Sequence, residues 1–189
     1  MGELHSPERA KADGARLILA LSGLPGVGKT TLARALACRL GGIHVSFGDY
    51  VRAVAEKLGK PGDRTTLQEI GETLVRDDPN AFVSSILKQA PPGWQTLILD
   101  GVRHDQVLKL LREFAQEEGA ALRLAHLSID TPTRIARMAE RGIDPASAQL
   151  TQNHPSEHDV TKRLAHAANL QLDGNRPVED LVALVLDSL

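Results

Sequence analysis

Residues 17–31 read Leu17-Ile18-Leu19-Ala20-Leu21-Ser22-Gly23-Leu24-Pro25-Gly26-Val27-Gly28-Lys29-Thr30-Thr31. The apolar run Leu17–Ser22 has the length of a buried strand, and the chain from Lys29 to Leu40 reads as a helix closed by Gly41-Gly42. Between them lies G-x-x-x-x-G-K-T, a glycine-rich turn in the strand–loop–helix setting that this pattern requires. Its glycines let several backbone N–H groups point inward, and the helix behind adds its positive end, so the turn is built for phosphate oxygens. The reading expects a nucleoside triphosphate, ATP with Mg²⁺, held by Gly23, Leu24, Pro25, Gly26, Val27, Gly28, Lys29, Thr30 and Thr31. Lys29 would reach the outer phosphates, and the Thr30 hydroxyl would ligate the metal. Four fixed positions of this kind arise by chance on the order of once in a few hundred chains of this length.

Outward from the loop, short apolar runs alternate with longer amphipathic stretches, which predicts an α/β domain with a parallel sheet. Strands are expected at Leu17–Ser22, Ile43–Phe47, Thr96–Asp100, Leu122–Ile129 and Asn169–Leu172. Helices fill the gaps at Lys29–Leu40, Tyr50–Leu58, Thr65–Arg76, Pro79–Gln89, Arg103–Glu118, Pro132–Arg141, about Glu157–Ala167, and Pro177–Ser188. Thr131 is expected to cap the helix that Pro132 opens, and Pro177 to be the first residue of the last helix. The expected fold is a three-layer α/β/α P-loop NTPase sandwich with a five-stranded parallel sheet. Residues 1–15 read as a flexible tail and 16–189 as one P-loop domain. Within it, 46–90 is expected to form the acceptor-binding part and about 131–156 a short lid.

With 42% hydrophobic and 24% charged residues and a net charge of −2, the chain has an ordinary soluble balance. Nothing in the whole-chain charge calls for nucleic acid or a membrane surface. The single cysteine, Cys38, cannot form an internal disulfide, so a reducing, cytoplasmic compartment is expected. The patterns leave monomer and homodimer open.

The run Leu97-Ile98-Leu99 ends in Asp100, a carboxylate placed to hold Mg²⁺ beside the loop; the competing reading is a cap for the next helix. Arg52 and Arg103 each follow a strand end and are expected in the first turn of a helix. There the dipole disfavours a cation unless an anion is bound, so the pair points to a second phosphate site. The alternative is pairing with Asp49 or Asp105. Arg134, Arg137 and Arg141 share a helix face; Arg137 and Arg141 are the expected stabilisers of a transferring phosphoryl group, against the alternative of a solvated basic face.

These residues resemble nucleoside monophosphate kinases. Ser46-Phe47-Gly48-Asp49-Tyr50-Val51-Arg52 is similar to the adenylate-kinase segment whose arginine holds the acceptor phosphate. Leu99-Asp100-Gly101-Val102-Arg103 resembles that family's Asp-Gly-Phe-Pro-Arg, one residue shorter. Leu74-Val75-Arg76-Asp77-Asp78 resembles its segment at the monophosphate pocket. Asp100–Arg103 and His154-Pro155-Ser156-Glu157 resemble phage-type deoxynucleoside monophosphate kinases, and Leu172-Asp173-Gly174-Asn175 resembles a nucleotide-base loop of dephospho-coenzyme A kinases. The large lid of adenylate kinases is missing, and only Gly142–Pro155 is available for that part. The resemblance implies phosphoryl transfer from ATP to a nucleoside or deoxynucleoside monophosphate, with Asp49, Arg52 and Arg103 binding the acceptor and Thr30 and Asp100 the metal. Its rivals are a kinase for another small metabolite, such as a coenzyme precursor, and a nucleotide-dependent regulatory ATPase or binding module. His154 and His158 lack a third ligand for a metal site, and Trp94, in the turn Ala90-Pro91-Pro92-Gly93-Trp94, reads as a surface or edge residue.

Overall fold

Ile18, Leu19, Ala20 and Leu21 are each at most 1% exposed, so the first strand is covered on both faces. That burial explains a run that is apolar throughout, where a half-buried strand would alternate. A computed structural model describes residues 16–140, 142–143 and 159–189. In it the strand is β1 (Arg16–Gly23), followed by β2 (Ile43–Ser46), β3 (Thr96–Asp100), β4 (Ala120–Ser128) and β5 (Leu170–Asp173). All pair in parallel, in the order β2-β3-β1-β4-β5. Ile18 and Ala20 point into one core with Leu97, Leu99, Leu108 and Leu111; Leu19 and Leu21 point into the other with Leu32, Leu36 and Leu181. The expected five-stranded parallel sheet between two helical layers is the architecture found. From β1 the chain crosses to β2 and β3 on one side and then passes to β4 and β5 on the other, and such a switch point opens a ligand crevice at the strands' carboxyl ends.

The helices are α1 (Lys29–Leu40), α2 (Phe47–Lys57), α3 (Arg64–Asp77), α4 (Pro79–Leu87), α5 (Asp105–Glu117), α6 (Thr131–Ala139), the single turn α7 (Ala165–Ala167), entered from a π-helical stretch Asp159–Leu164, and α8 (Val178–Asp187). As expected, α1 stops at Gly41, whose φ of 60° is left-handed. Several boundaries move, each for a local reason. Helix α2 starts directly from β2 at Phe47, not Tyr50, because the Ser46 hydroxyl accepts the Asp49 N–H at 3.1 Å and caps it. Helix α5 starts at Asp105, not Arg103, because His104 is extended (φ −120°, ψ 136°) and forms its N-terminal boundary. Asp130, not Thr131, caps α6, its carboxylate accepting the Thr133 N–H at 2.8 Å. Pro177 is the boundary residue before α8 and not its first helical residue.

Trp94 is only 8% exposed, contrary to the expectation of a surface residue. Its ring stacks on Phe114 at 6.2 Å between centroids, with the Arg16 guanidinium 5.0 Å above it. Arg16 is in turn ion-paired with Glu118. Among the described residues no helix is long and apolar enough to cross a membrane.

Candidate active site

The loop Gly23–Gly28 joins β1 to α1 at the carboxyl edge of the sheet. Gly28 borders α1 with φ 102°, a left-handed conformation that a side chain would strain, and the first turn of α1 carries no acidic residue. The helix end is therefore left for an external anion. Gly23 has no room for a side chain, since a Cβ there would lie 2.3 Å from the Leu127 carbonyl oxygen of β4. Lys29 folds back over the loop, its Nζ donating to the carbonyl oxygens of Gly23 at 2.8 Å and Leu24 at 2.9 Å.

Asp100 stands in register with Leu21 at the end of the neighbouring strand and is 3% exposed. It caps no helix, since α5 begins five residues later. Instead the Thr30 hydroxyl donates to Asp100 Oδ2 at 2.6 Å, and His44 Nε2 lies 3.6 Å from the same oxygen. Burial acts to raise the Asp100 carboxyl, but the His44 ring, the Lys29 charge and the Thr30 hydroxyl together outweigh it and hold it below its ordinary value.

A pocket of about 330 Å³ opens beside this pair, a size typical of small-molecule sites. Lys29, Thr30, Thr31 and Asp100 form one side, and three guanidiniums, Arg52, Arg64 and Arg103, line it as well. Both sequence-predicted arginines are therefore in the pocket, but not for the reason expected. Arg52 is the sixth residue of α2 and Arg103 precedes α5, so neither occupies a first helical turn. Arg52 is ion-paired with Asp49, as the alternative reading had it, yet it still lines the pocket. Asp49 itself is exposed and is not among the lining residues. The segment Leu74–Asp78 also lies away from the pocket. Its Arg76 pairs with Asp77 at 2.9 Å, and Asp78 caps α4 through the Ala81 N–H.

Helix α6 rests on the phosphate loop. A Cβ at Gly26 would meet Met138 Cγ at 3.0 Å and Arg134 Cγ at 3.2 Å. Arg134, 1% exposed, touches the loop, and its Nη1 contacts Met138 Sδ at 3.2 Å. Arg137 donates from Nη1 to the Gly174 carbonyl at 3.0 Å, tying α6 to the turn after β5. That turn lies against the loop too, with no space at Gly174 between Ile129 and the Val27 carbonyl. Arg141, His154, Ser156, Glu157 and most of the predicted lid 131–156 lie outside the described residues.

A family model described as an AAA domain matches residues 19–165. The chain belongs to this family, as a P-loop kinase. It is 33% identical over 132 residues to a UPF0200 protein of Pyrobaculum aerophilum, covering 69% of this chain and 70% of that one. Over 148 residues it is 26% identical to an adenylate kinase of Natronomonas pharaonis, 76% of this chain and 68% of the other. Over 90 residues it is 36% identical to a cytidylate kinase of Symbiobacterium thermophilum, 47% of this chain but 38% of the other. The fold matches a gluconokinase from Sinorhizobium meliloti 1021 with TM-score 0.60 at 16% identity, over 91% and 90% of the two chains. The protein is a phosphotransferase whose family placement leaves the acceptor open between a nucleotide and another small metabolite.

Two features of this P-loop kinase had no separate signal in its sequence. Arg64 and Gln68 of α3 line the pocket, more than thirty residues before Arg103, and nothing local distinguishes them from surface residues. His126 of β4, 6% exposed, stands in register with the fully buried Ser22 of β1. Among the described residues, neither His126 Nδ1 nor Ser22 Oγ has a hydrogen-bond partner. Burial, and then the Lys29 charge, lower the His126 pKa from its ordinary 6.5. A lowered histidine gives stability that is fully present above the unfolded value of 6.5 and is lost as pH falls toward the folded one, because the unfolded chain takes up the proton first. Urea unfolding between pH 7.5 and 5.5 is expected to show stability falling with acid, by at most about 1.4 kcal/mol per pH unit from this one group. That part of the slope should vanish in His126→Phe; an unchanged slope would show that His126 does not carry it.

Proposed function

We propose that this P-loop kinase transfers the γ-phosphoryl group of ATP to the phosphate of a ribo- or deoxyribonucleoside monophosphate. The observation that carries the reading is the convergence of Arg52, Arg64 and Arg103 on the pocket that Lys29 and Asp100 also line. A phosphate monoester matches the planar, bidentate geometry that a guanidinium offers.

In this reading an oxygen of the acceptor phosphate bonds to the γ-phosphorus as the bond to the β,γ-bridging oxygen breaks. ADP leaves and a nucleoside diphosphate forms. The protein aligns the two phosphates and neutralises their charge. Loop amides and Lys29 gather the β- and γ-phosphates. The Thr30 hydroxyl and the buried Asp100 carboxylate are hard oxygen donors, held 2.6 Å apart, and suit Mg²⁺ or a water bound to it. When bound, the ion offsets charge on the β- and γ-oxygens. Arg52 and Arg103 hold the acceptor phosphate, with Arg64 beside them. Arg134 takes the place at the loop first expected of Arg137, while Arg137 braces the turn at Gly174 where the donor base would lie. Residues 46–90 would supply the acceptor-binding part.

The test is an ATP-consumption screen against all ribo- and deoxyribonucleoside monophosphates, with dephospho-coenzyme A and gluconate as other acceptors. Saturable turnover with at least one nucleoside monophosphate is expected. Turnover with only another acceptor would reassign the substrate. ATP hydrolysis indifferent to every acceptor would point to a regulatory ATPase instead.

A further inference from the structure

Glu72 follows Arg64 and Gln68 at intervals of four, so the three stand in one row along α3. The first two border the pocket. The third reaches His104 of the β3–α5 connection, itself a pocket residue, and His104 Nε2 lies 2.9 Å from Glu72 Oε1. A carboxylate has no proton to give, so the ring nitrogen donates. His104 is the boundary residue of α5, a position where Ser, Thr, Asp or Asn commonly accepts a backbone N–H. Its side chain caps nothing there and turns to α3 instead.

The two ends of this contact differ in how firmly they are held. The β3–α5 connection is fixed to β1, since the Gly101 and Val102 N–H groups both donate to the Leu21 carbonyl at 3.1 Å and Val102 is fully buried. Helix α3 packs chiefly on α2 and α4, and its one buried residue is Val75, in the last turn. Apolar packing thus holds most firmly the end of α3 away from Arg64.

We infer that the His104–Glu72 hydrogen bond is a positioning contact for acceptor binding, which keeps α3 in register with the β3–α5 connection so that Arg64 and Arg103 bear on one phosphate. The inference rests on the proposed function, in which these guanidiniums bind a nucleoside monophosphate. Arg103 is the chain neighbour of His104, and Arg64 is about two helical turns from Glu72. A shift of α3 against the connection therefore changes the separation of the two guanidiniums. A phosphate gripped by both loses a charge-assisted contact when one withdraws. His104 and Glu72 act through the arginines and are positioning residues.

The experiment is a double-mutant cycle on the full chain with its best nucleoside monophosphate. It compares His104→Phe, which keeps a ring but no donor, Glu72→Ala, and the two together. His104→Gln is made alongside, because its amide nitrogen can stand in for Nε2. Turnover, both KM values and circular dichroism are measured for each. Either single variant is expected to raise the acceptor KM at least about fivefold, with the KM for ATP within about twofold of the parent. The double variant should be no more than about twofold worse than the worse single one, since one bond can be lost only once. His104→Gln should bring the acceptor KM back to within about twofold of the parent. A parental acceptor KM in both single variants overturns the inference, as does a glutamine form as weak as the phenylalanine form. Single effects that multiply in the double variant overturn it, because the two residues would then act separately. So does a joint rise of both KM values, which marks a loosened fold, or an unfolded single variant, which marks a contact that serves stability. If the parent enzyme phosphorylates no nucleoside monophosphate, the proposed function fails along with the inference; if it does and the cycle shows no coupling, only the inference fails.

Discussion

Lys29→Ala will lose at least about 100-fold in turnover while remaining folded. Two losses combine at this position. One is the cation facing the outer phosphates, an interaction that matters most as charge shifts in the transition state. The other concerns the loop itself, because Lys29 Nζ bridges the Gly23 and Leu24 carbonyls at 2.8 and 2.9 Å. The variant's loop therefore loses an internal brace as well as its charge. The side chain is only half-buried, and the cores on either side of β1 are built from other residues, so global stability should change little. Circular dichroism and steady-state turnover together decide the matter. A folded variant working at the parental rate would remove the basis for a kinase at this site.

Arg52→Ala is expected to raise the acceptor KM by an order of magnitude or more and to leave the KM for ATP nearly unchanged. A charge-assisted contact to phosphate is worth roughly 1.5–3 kcal/mol. Arg52→Lys should rescue poorly, since a point charge cannot reproduce the planar fork. The ion pair with Asp49 sharpens the test. Both side chains of that pair are more than half exposed, so a purely structural role would be worth under about 1 kcal/mol of stability and would move neither KM. Asp49→Asn separates the two roles. It removes the partner but not the guanidinium, and if phosphate binding is what Arg52 does, the acceptor KM should change far less than in Arg52→Ala. Equal effects on ATP and acceptor would place Arg52 on the donor side or in the scaffold.

The arginine prediction stands on different ground in the structure than in the sequence. Reading along the chain, Arg52 and Arg103 drew notice as cations expected in first helical turns. The Ser46 cap starts α2 early, and extended His104 starts α5 late, so that argument fails at both positions. What replaces it is convergence: α2, α3 and the β3–α5 connection each deliver one guanidinium to the same pocket. The arginine face of α6 was legible as a period of three and four, but which member meets the loop was not. Burial of Arg134 against Gly26 and the turn of Arg137 toward Gly174 depend on how α6 sits on the sheet edge.

The amino-acid sequence by itself determined the sheet's five parallel strands, the glycine-rich loop with Lys29 and Thr30, and Asp100 at a strand end. Those features are written in short-range terms: an unbroken apolar run means a strand covered on both faces, and a glycine is where the backbone must turn left-handed or let another chain segment close. Only the tertiary structure decided that Trp94 is buried beneath Arg16, and that Arg64, Gln68 and Gly71 border the pocket. Periodicity reports which face of a helix is buried but not which other elements arrive opposite it. That choice is made by the strand order β2-β3-β1-β4-β5 and by the packing of helices across it, to which each residue's local pattern is blind.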